Sequence, residues 1–256
     1  MDAPGDTMET AAKLPVRLGK SPLVEALFEL RFTSHLPAAS ILSGLLYTSL
    51  KCSEIVRLPH ADIPDQIRQT DPNLIYMPVI RLKKENFHIN LSDRSILVSV
   101  PHPYVGWNRF QKTILEVLEA VASANIIDRT ERFSLKYIDI FDMAGFSADG
   151  KGFTLGFNLP AINVMHQSIQ GRFEVRENPW IHVIGYFGEA HGKLPDGTSK
   201  KGIMMDVDTI EFLNSSYTEF MENAKSKLDE LHNSNKKLFF KLISEEGLNS
   251  LEPKYE

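Results

Sequence analysis

Six polar side chains in the second half of the chain hold the spacing with most chemical potential. Arg172, Glu174 and Arg176 alternate with Phe173 and Val175, so in an extended strand they share one face. Asp206 and Asp208 alternate in the same way with Met205 and Val207, and His182 stands between Trp180 and Ile184. If these faces coincide, carboxylates, guanidinium groups and an imidazole meet on one sheet surface. Such a surface suits a divalent cation or a polar ligand. Asp206 and Asp208, with His182 or Glu174, would also suit a metal-dependent hydrolase or nuclease. The simpler use of the same residues is a wet sheet face laced with cross-strand ion pairs.

Other catalytic signatures are missing from the sequence. Gly19-Lys20-Ser21 imitates the end of a phosphate-binding loop, but Leu14 stands where glycine is required and a strand pattern follows where a helix must begin. Gly192-Lys193 fails similarly, with Phe187 and Leu194 in the essential positions. There is no GxGxxG, GxSxG or HExxH, the histidines form no close pair at metal-ligand spacing, and nothing around Cys52 marks it as a nucleophile. No residue pattern names a cofactor. Tyr104 and Trp107 are types that anchor interfaces, but Trp107 directly before Asn108 reads as a hydrophobic staple in front of a helix cap.

Composition narrows the class further. A chain of 256 residues can bury a sufficient core without disulfides or structural zinc. With 28 basic against 33 acidic residues and a net charge of −5, it has no positive surplus for a phosphate backbone, which argues against nucleic acid as the main ligand. The single cysteine fits a reducing cytoplasm. No apolar run approaches the roughly 20 residues of a membrane span, and the N-terminal stretch has no signal-like apolar core.

The elements that must position these residues are read from periodicity. Val24 to Phe32 alternates as a half-buried strand, and Ile41, Leu42, Leu45, Leu46 and Leu50 follow helical spacing. A polar, proline-punctuated region from Ser53 to Asn73 precedes three strands, Leu74 to Lys83, Asn86 to Leu91 and Ser95 to Val100, joined as a meander. Asn108 and Gln111 have capping-box spacing at the start of a helix carrying Phe110, Ile114, Val117, Leu118 and Val121. Arg132 to Asp142 alternates with a change of phase at Ile138, which predicts a bulged strand.

The glycine-rich stretch from Ala144 to Gly152 predicts a subdomain boundary. Beyond it, Phe153 to Leu159, Ile169 to Glu177, Trp180 to Phe187 and Lys201 to Phe212 read as four strands. A long helix then begins at Ser216, with Glu219 at capping-box spacing. Its apolar stripe should overhang a four-stranded sheet, leaving a surplus for the first half or a second subunit. Asn235 interrupts that stripe either as a register-setting polar residue or as a solvated surface position.

The order of segments resembles a sporadically distributed bacterial family without established activity. The resemblance rests on Ser21 to Phe32, on Tyr104 and Trp107 opening a helix, and on Arg132 to Asp139. It continues through Met205-Asp206-Val207-Asp208, Leu231-His232 and Phe239-Phe240, and covers residues 21 to 256. It implies an accessory protein of the mobile or defence-associated kind, and an asparagine where this chain has Asp139.

The expected fold is α+β, with two mainly antiparallel meander sheets backed by helices and a long C-terminal helix. The expected division is a flexible tail over residues 1–19, an α+β subdomain over 20–145, and a four-strand meander plus long helix over 146–256. The leading function is a cytoplasmic, non-enzymatic binding or assembly module, whose partner is another protein or a second copy joined through the C-terminal helix. The alternatives are the metal-dependent hydrolase or nuclease and a small-molecule sensor. Arg172, Glu174, Arg176, His182, Asp206 and Asp208 are the candidate binding residues.

Overall fold

The computed structural model describes residues 14–147, 150–156 and 169–255. Its first half runs β1 (Arg17–Leu18), β2 (Leu23–Thr33), α1 (Ala38–Ser49), β3 (Glu54–Arg57), α2 (Asp65–Thr70), β4 (Ile80–Lys84), β5 (Phe87–Leu91), β6 (Ser95–Pro101) and α3 (Trp107–Ala122). Then follow β7 (Arg129–Phe141), β8 (Gln170–Glu177), β9 (Trp180–Lys193), β10 (Ser199–Ser215), α4 (Tyr217–Leu242), α5 (Glu245–Ser250) and β11 (Pro253–Lys254). The chain is α+β, with antiparallel sheets of nine and two strands and a long C-terminal helix.

The nine-stranded sheet has the order β3-β4-β5-β6-β2-β7-β10-β9-β8. Its strands come from both halves of the chain, joined where β2 lies antiparallel to β7 and Phe28 faces Leu135. The halves repeat one plan about that seam. A central strand is followed by a meander whose last strand returns beside it, four strands β3–β6 with β6 beside β2 in the first half and three strands β8–β10 with β10 beside β7 in the second, and then by a helix, α3 or α4. The glycine-rich stretch follows β7, within the second of these repeats. That stretch is packed: Phe146 and Phe153 are buried in the second core, and a Cβ on Gly247 would lie 2.1 Å from the Gly152 carbonyl oxygen. The glycines there permit close approach rather than a hinge.

Both ends of the expected outline change. Arg17 and Leu18 pair with Lys254 and Pro253, so the residues before Gly19 include a short strand; residues 1–13 lie outside those described. Phe153 makes only an isolated bridge to Ile243, and the rest of the strand expected there runs outside the described residues. β3 was hidden in the proline-punctuated region because Glu54–Arg57 is too short to show alternation. β7 keeps an unbroken register against β10 from Phe141 to Arg132, so no bulge lies at Ile138 on that side. The change of phase arises because Ile138 and Ile140 lie on the opposite face and are themselves partly or wholly buried.

Helices cover one face of this sheet. Ala26, Phe28, Leu30, Phe133 and Leu135 meet Phe110, Ile114, Leu118, Phe220, Leu228 and Leu231 in one core, each large side chain contributing roughly 1.5–3 kcal/mol by leaving water. A second core gathers Phe141, Tyr186, Met205, Val207, Leu242 and Ile243. α4 serves both, its 26 residues spanning about 39 Å. The surplus of the apolar stripe goes to the first half: Phe220, Leu228 and Leu231 join the first core and Leu242 the second, all buried within the chain.

The caps follow local chemistry. At α4 the Ser216 hydroxyl accepts the Glu219 N–H at 3.2 Å, as the spacing predicts. At α3 the cap is Gly106, with φ of 86°, a conformation that glycine adopts without a Cβ penalty. Asn108 lies inside the helix instead, and the Gln111 amide donates to the Lys225 carbonyl of α4 at 3.2 Å. Cys52 is buried just beyond α1, where desolvation pushes its thiol up and disfavours the reactive thiolate. No helix among the described residues is long and apolar enough to cross a membrane.

Candidate functional site

Strand register decides which of the six polar residues meet. Asp206 lies opposite Gly185 of β9 and Ile138 of β7, and Asp208 opposite Val183 and Lys136. One strand further out, Arg172 faces Gly185 and Glu174 faces Val183, while Arg176 faces Ile181. Arg172, Glu174, Arg176, Asp206 and Asp208 therefore share the sheet face opposite α3 and α4. His182 does not join them. It lies opposite Thr209 and Val175, on the helix-covered face, and is 0% exposed. The sequence placed it by alternation within one strand, but only cross-strand register tells which face a strand turns inward.

The centre of the helix-free face is an alternating array of charge. Glu29 of β2 accepts hydrogen bonds from Arg31 at 2.9 Å and from Arg132 of β7 at 2.5 Å. Lys136 pairs with Asp206 at 2.9 Å, and Asp206 is only 7% exposed. Gly185 makes room for that carboxylate, since a Cβ there would lie 2.6 Å from the Asp206 Oδ2 atom. Asp208 sits beside them. Burial pushes its carboxyl up, against the pull of Arg132, Lys136 and the Ser134 hydroxyl.

Two buried polar atoms in this array have no hydrogen-bond partner, the Arg132 Nε donor and the Asp208 Oδ1 acceptor. An unpaired buried polar atom costs roughly 1–3 kcal/mol, so such pairs are retained where something outside the protein satisfies them. The outer residues are simpler. Glu174 and Arg176 pair with each other at 2.5 Å on β8, an edge strand exposed along most of its length.

As a metal centre the array is poor. Lys136 already neutralises Asp206, cations flank Asp208, and His182 faces away. Among the described residues no group of three or more histidine, cysteine, aspartate or glutamate side chains is arranged to hold an ion.

On the opposite face, the structure joins segments that sequence reasoning left separate. Tyr104, Trp107, Tyr137 and His232 meet at the junction of the two cores. The Tyr137 hydroxyl is 2.9 Å from the His232 Nδ1 atom, the Trp107 indole N–H donates to Asp229 at 2.8 Å, and Tyr104 lies edge-on to Tyr137. Burial pushes the Tyr104 phenol up to about 12 and holds the His232 imidazole down to about 4, with Lys236 acting in the same direction on His232. Asp139, 3% exposed, is pushed up to about 7 by burial, opposed by Lys200. These groups bolt α3, α4 and β7 together. Trp107 acts within the first turn of α3 rather than as a staple before it. Which of these residues touch is set by the fold, not by spacing along the chain.

No family model matches the chain, and no curated protein matches it.

Proposed function

We propose that this chain is a non-enzymatic binding module of the cytoplasm, and that it recognises a protein partner on the helix-free face of its large sheet. The observation that carries the reading is the pair of desolvated, unpartnered atoms, Arg132 Nε and Asp208 Oδ1, within an otherwise compensated array of charge. The balanced charges of the array favour selectivity over a general attraction for one sign. In this reading the partner lies on a face made by both halves. A homo-oligomer built on the apolar stripe of α4 lacks support, because that stripe is buried within the chain.

The test is affinity capture of the tagged protein from its native host, compared with an Asp208→Ala, Arg176→Ala variant. Asp208 has an unfavourably desolvated carboxylate and Arg176 is exposed, so the variant should fold normally by circular dichroism. Stoichiometric recovery of one protein with the parent, lost with the variant, supports the reading. Equal recovery with both would place the interface elsewhere. The metal-dependent hydrolase alternative has its own test: calorimetric titration with magnesium, manganese and calcium should give no saturable heat, and saturable binding lost in Asp206→Ala, Asp208→Ala would favour it instead.

A further inference from the structure

Away from the recognition face, a pocket of about 260 Å³ opens between α4 and the turn joining β8 to β9. Glu177 and Trp180 line one wall, and Glu230, Ser234, Lys237 and Lys241 the other, at helical spacings of three or four residues that bring them onto one side of α4. The volume is below the roughly 300–1,000 Å³ of drug-sized sites, which restricts an occupant to a small metabolite.

Two ring nitrogens, of Trp180 and His182, lie buried behind the pocket wall rather than on its surface. The Trp180 Nε1 atom is buried and has no hydrogen-bond partner. Behind it His182 belongs to a buried network: its Nδ1 atom is 2.9 Å from the Thr209 hydroxyl oxygen, which lies 2.9 Å from the Asn235 amide nitrogen. Burial holds the ring down, in its neutral form, with Glu177 opposing and Lys241 assisting. Nε2 looks toward two pocket residues at long range, Ser234 Oγ at 3.5 Å and Glu177 Oε2 at 3.7 Å.

The rim carries both signs of charge. Lys237 and Lys241 make no ion pair among the described residues, nor does Glu230, and Glu177 meets only the neutral imidazole. An anion alone would face Glu177 and Glu230, and a cation alone would face the lysines. From this arrangement we infer that the pocket binds a small zwitterion of the free amino acid class, its carboxylate toward the lysines and its ammonium toward the glutamates. The indole face and Leu238 supply apolar contact for a side chain. The chain would thereby sense a metabolite on one face of its sheet while presenting its partner surface on the other.

The experiment is calorimetric titration of the full chain with each of the twenty standard L-amino acids, with acetate and ethylamine as single-charge controls. At least one amino acid should give saturable one-to-one binding. Lys237→Ala, Lys241→Ala should weaken it by about tenfold or more, the loss expected when a hydrogen bond to a charged group is removed, and Trp180→Phe, which only trims the apolar wall, by less. Trp180→Phe keeps the packing, so its melting temperature should stay close to the parent's. Absence of saturable heat with all twenty would overturn the assignment, as would acetate or ethylamine binding as tightly as the best amino acid. Asp208→Ala should bind the amino acid like the parent, which separates this site from the partner face.

Discussion

The Trp107 indole lies flat against the His232 imidazole, with ring centroids 4.1 Å apart and planes 6° from parallel. The contact joins the first turn of α3 to the middle of α4, two helices that follow equivalent meanders in the two halves. It also removes the imidazole from water while Tyr137 occupies its Nδ1 atom.

The first prediction follows from that desolvation. His232 titrates near 6.5 when unfolded and near 4 when folded, because burial, helped by Lys236 and opposed by Asp229, disfavours the imidazolium. The folded state therefore binds fewer protons between those values. Its stability is complete above pH 6.5 and falls as pH drops toward 4, by about 3 kcal/mol for this one group. Urea unfolding across that window should show a shallower acid loss in His232→Gln than in the parent. Identical slopes would mean that the ring is hydrated in solution.

Asp139 has the opposite sign. Its carboxyl moves from 3.8 to about 7 on folding, chiefly through burial, with Lys200 pulling the other way. The folded state binds more protons over this range, so stability declines as pH rises from about 3.8 to about 7 and stays lowered above it. A protonated aspartic acid is close in shape to asparagine, the residue that the family resemblance implies at this position. Asp139→Asn should raise stability at pH 8 by on the order of 2–4 kcal/mol and change little at pH 4. A loss of stability at pH 8 would show that the ionised form is needed.

Much of the fold could be read from alternation and capping, and the reasons are local. Val24 to Phe32, Trp180 to Phe187 and the Ser216–Glu219 cap all encode their structure within a few residues. Sheet membership is not local. Nothing near Phe28 or Leu135 announces that they face each other across the centre of one sheet, and without that pairing the halves read as separate sheets. The candidate site failed for the same reason at His182 and held for Asp206 and Asp208, whose common face needs only their own spacing. The role of Asn235 depended on what lay above it, which spacing does not encode.

Asn235 is 2% exposed, and its amide lies 2.9 Å from the Val207 carbonyl, 3.2 Å from that of Leu135 and 2.9 Å from the Thr209 hydroxyl. It thus stitches α4 to β7 and β10 between the two cores. Asn235→Leu cannot satisfy these acceptors and should cost about 2–4 kcal/mol in chemical denaturation. A neutral result would show that the carbonyls find other donors.

Gly185 is the sensitive point of the proposed recognition face. A methyl group there would displace the Asp206 carboxylate from its place beside Lys136. Gly185→Ala should weaken partner capture and lower stability by about 1–3 kcal/mol. Lys136→Ala should be more harmful than Lys136→Ala, Asp206→Ala, because the single change leaves a nearly buried carboxylate without its cation. If the single and double variants melt together, the ion pair contributes nothing.

The repeated plan of the sheet also bears on how such a chain could arise. A half-length polypeptide with β2 at its margin would leave a long row of unpaired amides and carbonyls, and its own copy offers the matching row. Two such chains, pairing antiparallel along that strand, would form one continuous sheet with a helix from each on one side. Gene duplication and fusion would convert that symmetric dimer into one polypeptide, after which the two halves were free to diverge. The remnant of the ancestral dimer interface would be the β2–β7 seam, and the charged array around Glu29 and Arg132 lies across it.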